Sequence, residues 1–272
     1  MPELPEVETT RRGIAAALTG RRVLYMRIRE RRLRWPIAAH VEAAVRGQLV
    51  HRVERRAKYL LLRLETGTMI VHLGMSGSLR VLAADAPAAA HEHWDLGIDG
   101  GLCLRYRDPR RFGSLHFTRR DPDLHRLLAH LAPEPLGAAF DADYLYLATR
   151  KRKIAVKPLL MNSRVVVGVG NIYASEALFR AAIHPSLPAG RISRAQAFAL
   201  TAAIKQVLSE AIRIGGTTLR DYVDAAGAPG YFRQELYVYE RAGRPCKVCR
   251  APIKHRRQGQ RATYWCPACQ RR

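Results

Sequence analysis

Cys246-x2-Cys249 and Cys266-x2-Cys269, sixteen residues apart, constrain the end of this chain more tightly than any other feature constrains a stretch of similar length. Each pair fits a tight knuckle, and four thiolates together fill the tetrahedral shell of one ion, so the spacing predicts a four-cysteine zinc ribbon holding one Zn2+. No coordination position is left for water, which makes the ion structural. Two disulfides are the competing account. The start Met-Pro-Glu lacks a basic segment followed by an apolar one, and no apolar run approaches the roughly 18 residues that span a bilayer, so a cytosolic, reducing setting is expected and metal is favoured. Cys103, in Gly101-Leu102-Cys103-Leu104, reads as a small buried hydrophobe.

Between the knuckles lie Lys254, His255, Arg256, Arg257 and Arg261, and no Asp or Glu follows Glu240. A metal-pinned hairpin would present these as a rigid cationic tip suited to phosphates or a groove. The whole chain shares the bias, with 46 Lys and Arg against 23 Asp and Glu and a formal charge of +23. Such an excess steers association with a polyanion; nucleic acid is the first candidate and an anionic membrane surface the second. At 272 residues and 48% hydrophobic content the chain can bury one large or two moderate cores.

Val7, Ile14 and Leu18, with Gly20 beyond, predict a helix from Pro5 to Leu18. Short β-rich runs follow at Val23 to Ile28, Leu49 to Val53, Tyr59 to Leu64, Met69 to Leu73, Ser78 to Leu82, Leu96 to Ile98, Leu102 to Tyr106 and Phe112 to Phe117. Many short strands without alternating helices predict an antiparallel sandwich or barrel, with Ala83 to Ala90 as a surface loop. The character changes near Asp121, where Leu124, Leu127, Leu128 and Leu131 have helical spacing. Gly168-Val169-Gly170 precedes a helix from Ile172 to Ala181, closed by His184-Pro185. Ser193-Arg194-Ala195-Gln196 is a capping-box pattern opening a further helix that stops at Gly215-Gly216. A turn-rich segment from Thr217 to Gly230 then leads to a short strand at Glu235 to Tyr239.

The N-terminus carries the sharpest chemistry. If Met1 is removed, as is common before proline, Pro2 offers a free secondary amine beside the Glu3 carboxylate. Such an amine adds to an electrophilic carbon and yields an iminium that stays cationic without protonation. The competing reading is that Pro2 and Pro5 stiffen a helix approach. At Gly168 to Glu176, Asn171 is either a helix cap or one donor of a phosphate site, with Lys151, Arg152, Lys153 and Lys157 just upstream. Arg110, Arg111 and Phe112 in Asp108-Pro109-Arg110-Arg111-Phe112-Gly113 can read base edges while wedging a stack, or form a structural turn. Met75, in His72-Leu73-Gly74-Met75-Ser76-Gly77-Ser78, is a wedge or ordinary filling, and Lys58 opens a strand where it can reach a phosphate or lie on the surface.

In order, Pro2-Glu3-Leu4-Pro5-Glu6, Arg55 to Leu62, His72 to Ser78, Asp108 to Gly113, Gly168 to Glu176, Gly215-Gly216-Thr217-Thr218-Leu219, Gly230-Tyr231-Phe232 and the cysteine ribbon resemble the bacterial formamidopyrimidine-DNA glycosylase family. The sister endonuclease VIII group has glycine where this chain has Leu4 and is a weaker fit. The resemblance implies an α+β protein: an N-terminal antiparallel β-sandwich domain preceded by a helix at residues 1–120, a helical helix-two-turns-helix domain at 121–234, and a zinc finger at 235–272. It implies a bifunctional glycosylase and strand-cleaving lyase acting on oxidised purines in duplex DNA, as a monomer without a nucleotide cofactor, in the cytoplasm and at the nucleoid.

By the same resemblance Pro2 is the nucleophile, Glu3 an acid, Lys58 a phosphate-contacting proton donor, and Arg261 a DNA contact with a part in the last elimination. Met75, Arg110 and Phe112 fill the gap left by the everted base, His91, Arg152, Lys157 and Asn171 contact DNA, and Thr217 to Tyr231 closes over the base. Glu3, Glu6 and Glu8 near the amine would favour its protonated form and oppose attack, so desolvation or proton transfer has to compensate. An endonuclease VIII-type enzyme for oxidised pyrimidines and a non-catalytic zinc-ribbon binder are the alternatives.

Overall fold

The structure, a computed structural model, describes residues 2–215 and 236–271. Its backbone divides into two compact units, one built around Met1–Ala129 and the other around His130–Ile214 together with the cysteine module. The first unit opens with α1 (Leu4–Leu18), one residue longer at its start than the sequence predicts. Two four-stranded antiparallel sheets follow, ordered β1-β6-β7-β5 and β2-β3-β4-β8. Their strands are β1 (Val23–Ile28), β2 (Val50–Arg56), β3 (Tyr59–Leu64), β4 (Gly67–His72), β5 (Ser78–Ala83), β6 (Glu92–Ile98), β7 (Leu102–Arg107) and β8 (Ser114–Thr118), with the short helix α2 (Val41–Val45) between β1 and β2.

All eight expected strands form, and the sandwich is the architecture. The inner faces bury Leu60, Leu62, Met69, Val71, Leu96 and Leu104 with Ile14 and Leu18 of α1. At this scale each buried aliphatic side chain contributes about 2 kcal/mol of transfer free energy. Trp94 stacks on Tyr106 with ring centroids 5.2 Å apart, both fully buried. Cys103 is also fully buried, as its apolar neighbours suggest.

Two expectations fail. The leucines from 124 to 131 do not form an α-helix: Pro122–Leu124 makes a single 3-10 turn capped by Asp121, and Leu124 is exposed while Leu127 and Leu128 are buried. The His125 ring takes the Leu127 backbone N–H, and Leu128 donates to the His125 carbonyl, so local turns satisfy the backbone in place of a helical ladder. Residues 236–239 form turns in place of the expected strand. The loop motifs at residues 216–219 and 230–232 and the closing segment at 217–231 lie outside the described residues.

The second unit holds α3 (Ala142–Thr149), α4 (Val156–Leu160), α5 (Asn171–Arg180) and α6 (Arg194–Arg213). The capping box read at Ser193 and Gln196 is present and starts α6. Asp141 accepts from the Tyr144 N–H and starts α3, a helix the apolar periodicity did not reveal. The cysteine module carries a hairpin, β9 (Lys254–Gln258) and β10 (Arg261–Trp265), and its Cys246, Ile253 and Cys266 pack with Val238 against Phe179 of α5. No helix among the described residues is long and apolar enough to cross a membrane.

Candidate active site and nucleic-acid interface

At the head of α1, Pro2, Glu3 and Glu6 are buried. The Glu3 N–H donates to the Glu6 carboxylate at 2.8 Å while the Glu3 side chain faces the Glu6 N–H, a reciprocal capping box that uses carboxylates at both ends. Glu6 is thus spent on fixing the chain immediately after Pro2. Burial opposes ionisation of Glu8, but hydrogen bonds from Arg11 and Arg12 and the charges of Arg11 and Arg55 outweigh it and hold its carboxyl below the usual range. Its negative charge is therefore balanced by guanidiniums. Were Met1 removed, the positive end of the α1 dipole would further disfavour a protonated amine at Pro2. The Glu8 charge is thus taken out of the electrostatic objection raised by an acid-rich terminus.

Lys58 sits in the tight β2–β3 turn, where Ala57 adopts a φ of 55°. Arg55, three residues earlier, donates to Glu8 at 3.2 Å, and Arg11 reaches the Val53 carbonyl at 3.3 Å, so α1 and this hairpin share one frame. His72, which sequence reasoning did not single out, lies at the end of β4 with its ring 4.9 Å from that of Tyr59. Its Nδ1 accepts from the Gly74 N–H at 2.9 Å. Burial, then the nearby charges of Lys58 and Arg34, push its pKa down to about 4, so its ring is neutral at neutral pH. Only the chemistry of its neighbours marks it, and apart from Gly74 those neighbours come from other segments of the chain.

Met75 is half-buried, whereas Arg110 and Phe112 are exposed, with the Arg110 guanidinium 4.8 Å from the centre of the Phe112 ring. His91 is exposed and adopts a φ of 69°. Its carbonyl accepts the Asp108 N–H at 3.0 Å, which ties the loop before β6 to the loop after β7.

The second unit carries the other candidates. Gly168 adopts a φ of 79°, and Gly170 is the N-cap of α5. Asn171 is the first helical residue and makes no cap, which corrects that part of the expectation. Its Oδ1 accepts from Lys157 Nζ at 2.6 Å instead. Lys157 is 1% exposed and also donates to the Ala262 carbonyl at 2.8 Å and to Thr263 Oγ1 at 2.9 Å. Three donors meet three acceptors, the arrangement that makes a buried ammonium tolerable. Lys157 thus fixes Asn171 against β10, next to Arg261, and does not reach the surface itself. Arg152 and Arg261 are exposed, Arg261 beginning the second strand of the hairpin beside the Gly259 turn.

Glu176 is a residue the sequence did not flag. It is buried, and its carboxylate accepts the N–H groups of Tyr237, Val238 and Tyr239 at 2.9, 3.0 and 2.9 Å. Burial raises its pKa despite these hydrogen bonds. The same bonds explain why residues 237–239 form no sheet: their donors are already taken. They also bring the Tyr239 hydroxyl to 3.5 Å from Asn171 Nδ2.

The Sγ atoms of Cys246, Cys249, Cys266 and Cys269 all lie within 4.8 Å of one another. Thiolates around one zinc at about 2.3 Å are separated by about 3.8 Å, and the Cys246–Cys269 pair stands at 3.9 Å and the Cys249–Cys266 pair at 3.3 Å. The donor set and spacing fit one structural zinc ion.

Three domain families cover most of the chain: the formamidopyrimidine-DNA glycosylase N-terminal domain over residues 1–115, the helix-two-turns-helix domain of the same enzymes over 131–223, and the zinc finger found in these enzymes and in isoleucyl-tRNA synthetase over 243–272. Fold and site together define a zinc-finger DNA glycosylase. The chain belongs to the formamidopyrimidine-DNA glycosylase family, whose members serve base excision repair and also have AP lyase activity. The formamidopyrimidine-DNA glycosylase of Thioalkalivibrio sulfidiphilus is 57% identical over 271 residues, covering 100% of both chains. The crystal structure of the MutM (Fpg) protein from Thermus thermophilus superposes with a TM-score of 0.89 at 38% identity, over 99% of this chain and 98% of that one. Lactococcus lactis Fpg in complex with abasic-site DNA gives a TM-score of 0.92 at 31% identity, over 99% of this chain and 100% of that one.

Proposed function

We propose that this protein excises oxidised purines, 8-oxoguanine and formamidopyrimidines, from duplex DNA as a monomer, and then cuts the strand by successive β- and δ-elimination. The observation that carries the reading is the Pro2-Glu3 terminus, buried and locked by reciprocal hydrogen bonds at the positive end of α1. Relatives bound to Fapy-dG and to carbocyclic 8-oxo-G in DNA support the lesion class.

With Met1 removed, the Pro2 nitrogen lone pair attacks the sugar C1′ as the glycosidic bond breaks, the base leaves with that bond's electrons and takes up a proton, and the Pro2 nitrogen gives up its N–H proton. Glu3 protonates the ring oxygen as the sugar opens, leaving a cationic iminium between Pro2 and C1′. That cation acidifies C2′–H. Loss of the proton expels the 3′ phosphate, and a second elimination expels the 5′ phosphate. Lys58 contacts a phosphate and donates protons to these steps, and Arg261 assists the second. An everted base leaves a gap in the stack, which Met75, Arg110 and Phe112 fill, with Arg110 meeting the orphaned cytosine. His91, Arg152 and Asn171 contact the DNA backbone, while Lys157 acts by holding Asn171.

Excision of 8-oxoguanine opposite cytosine, measured beside excision of thymine glycol, tests the substrate. Preference for the purine lesion is expected. Activity confined to thymine glycol would contradict it and favour an oxidised-pyrimidine enzyme.

A further inference from the structure

Asp108 lies under the loops that carry Met75, His91, Arg110 and Phe112, and it is fully buried. One carboxylate oxygen accepts from Ser76 Oγ at 2.7 Å and from the Arg110 N–H at 3.3 Å. The other accepts from the Tyr106 hydroxyl at 3.0 Å and from the Gly113 N–H at 2.8 Å. Its backbone carbonyl takes the His93 Nε2 proton at 2.7 Å, and its N–H binds the His91 carbonyl. Four neutral donors saturate the carboxylate, and each comes from a segment bearing or flanking an exposed candidate contact.

The two larger loops also touch backbone to backbone. A Cβ on Gly74, whose φ is +69°, would stand 2.4 Å from the Gly113 nitrogen. A Cβ on Gly113 would stand 1.8 Å from the Tyr106 hydroxyl oxygen, and one on Gly77 would stand 2.7 Å from it. The hydroxyl therefore sits in a slot that two glycines keep open, and it points at Asp108. Tyr106 is anchored from behind by its stacking on Trp94. Nothing in this arrangement binds a ligand; it fixes where exposed side chains stand.

We infer that Ser76, Tyr106 and Asp108 form a positioning hub that makes the Met75 loop and the Arg110–Phe112 loop a single rigid probe for the gap left by an everted base. The hub rests on the reading above that these side chains enter the stack. A rigid probe arrives with its ordering entropy already lost in folding, so insertion competes better with restacking of the base. The hub acts before and during base eversion and has no part in the eliminations that follow.

Tyr106→Phe keeps the ring and removes the hydroxyl, and Ser76→Ala removes the second donor at an independent position. In single-turnover assays each is expected to slow release of 8-oxoguanine about tenfold, the worth of a hydrogen bond to a charged acceptor, while changing cleavage at a preformed abasic site less than about twofold. In a Phe112→Ala background, adding Tyr106→Phe should cost less than it does alone, because part of the hub's effect passes through Phe112. Equal slowing of both reactions by both variants, or full multiplication of effects in the double variant, would overturn the hub. If Phe112→Ala slows base release and neither Tyr106→Phe nor Ser76→Ala does, the hub alone is wrong. If Phe112→Ala itself leaves base release unchanged, the probe reading falls and the hub with it.

Discussion

In the first unit the charges that matter are buried and matched. Arg105 and Asp95, each 3% exposed, meet at 2.8 Å, Arg29 adds a bidentate pair to the same carboxylate, and Glu92 takes a further Arg105 contact at 3.1 Å. In the cysteine module, ten Lys and Arg follow Glu240 with no acid among them. Matched buried ions demand good geometry, and these reach the loop before His91, since Arg105 also donates to the Ala86 and Pro87 carbonyls. Surface cations demand none and attract any phosphate backbone. Under the proposed function the contrast corresponds to two tasks: the first unit would fix a few atoms for chemistry and lesion sensing, and the second would hold DNA mainly through its phosphates.

The strongest way to break this division is at Pro2. A variant carrying an extra residue before it, which turns the amine into an amide, should lose base excision by on the order of 10³-fold or more while binding damaged duplex normally. Loss of binding in parallel, seen by mobility shift, would place the grip in the wrong unit.

Next in size is the metal. Cys246→Ser, or chelation of the zinc, should weaken binding to damaged and undamaged duplex alike, by about 100-fold, because the fold of a structural zinc site depends on its ion. Binding that falls only for damaged DNA would assign lesion sensing to the finger.

A third expectation concerns acid. His72 and His116 are both held neutral by burial, with pKa values pushed down to about 4 from 6.5. The unfolded chain therefore binds more protons between these values, and stability is full above about pH 6.5 and falls as pH drops toward 4. For His72 alone the loss is on the order of 2–3 kcal/mol. Denaturant titrations at several pH values check this, and His72→Gln should flatten the slope. An unchanged slope would remove His72 from the buried frame of the first unit.

The smallest effect distinguishes the surface cations. Arg152→Ala or Arg261→Ala should lower the slope of log affinity against log salt by about one without changing discrimination between lesion and normal duplex in binding. A change in discrimination would mean that these residues read more than phosphate.

What the sequence reveals depends on how local the physics is. The strand runs of the first unit, the Ser193 capping box and the cysteine spacing are short-range patterns, and each appears where expected, whereas the strand read at Glu235 to Tyr239 does not form at residues 236–239. The leucines near 124 mislead because spacing alone does not report that Asp121 and His125 satisfy the backbone locally. Lys157 and Asn171 are both visible as polar residues near a glycine-rich turn, yet the bond between them depends on β10, some 105 residues from Lys157. His72, Asp108 and Glu176 stand at the ends of motifs visible in the sequence, yet what each does is not legible there, because their partners are backbone groups and hydroxyls assembled by the fold.

A covalent bond between Pro2 and deoxyribose is the step on which the proposed chemistry turns. Borohydride reduction during reaction with 8-oxoguanine duplex, followed by peptide mapping, should yield a stable protein–DNA adduct with the sugar on the N-terminal proline nitrogen. An adduct on another side chain, or an active preparation that keeps Met1, would contradict it.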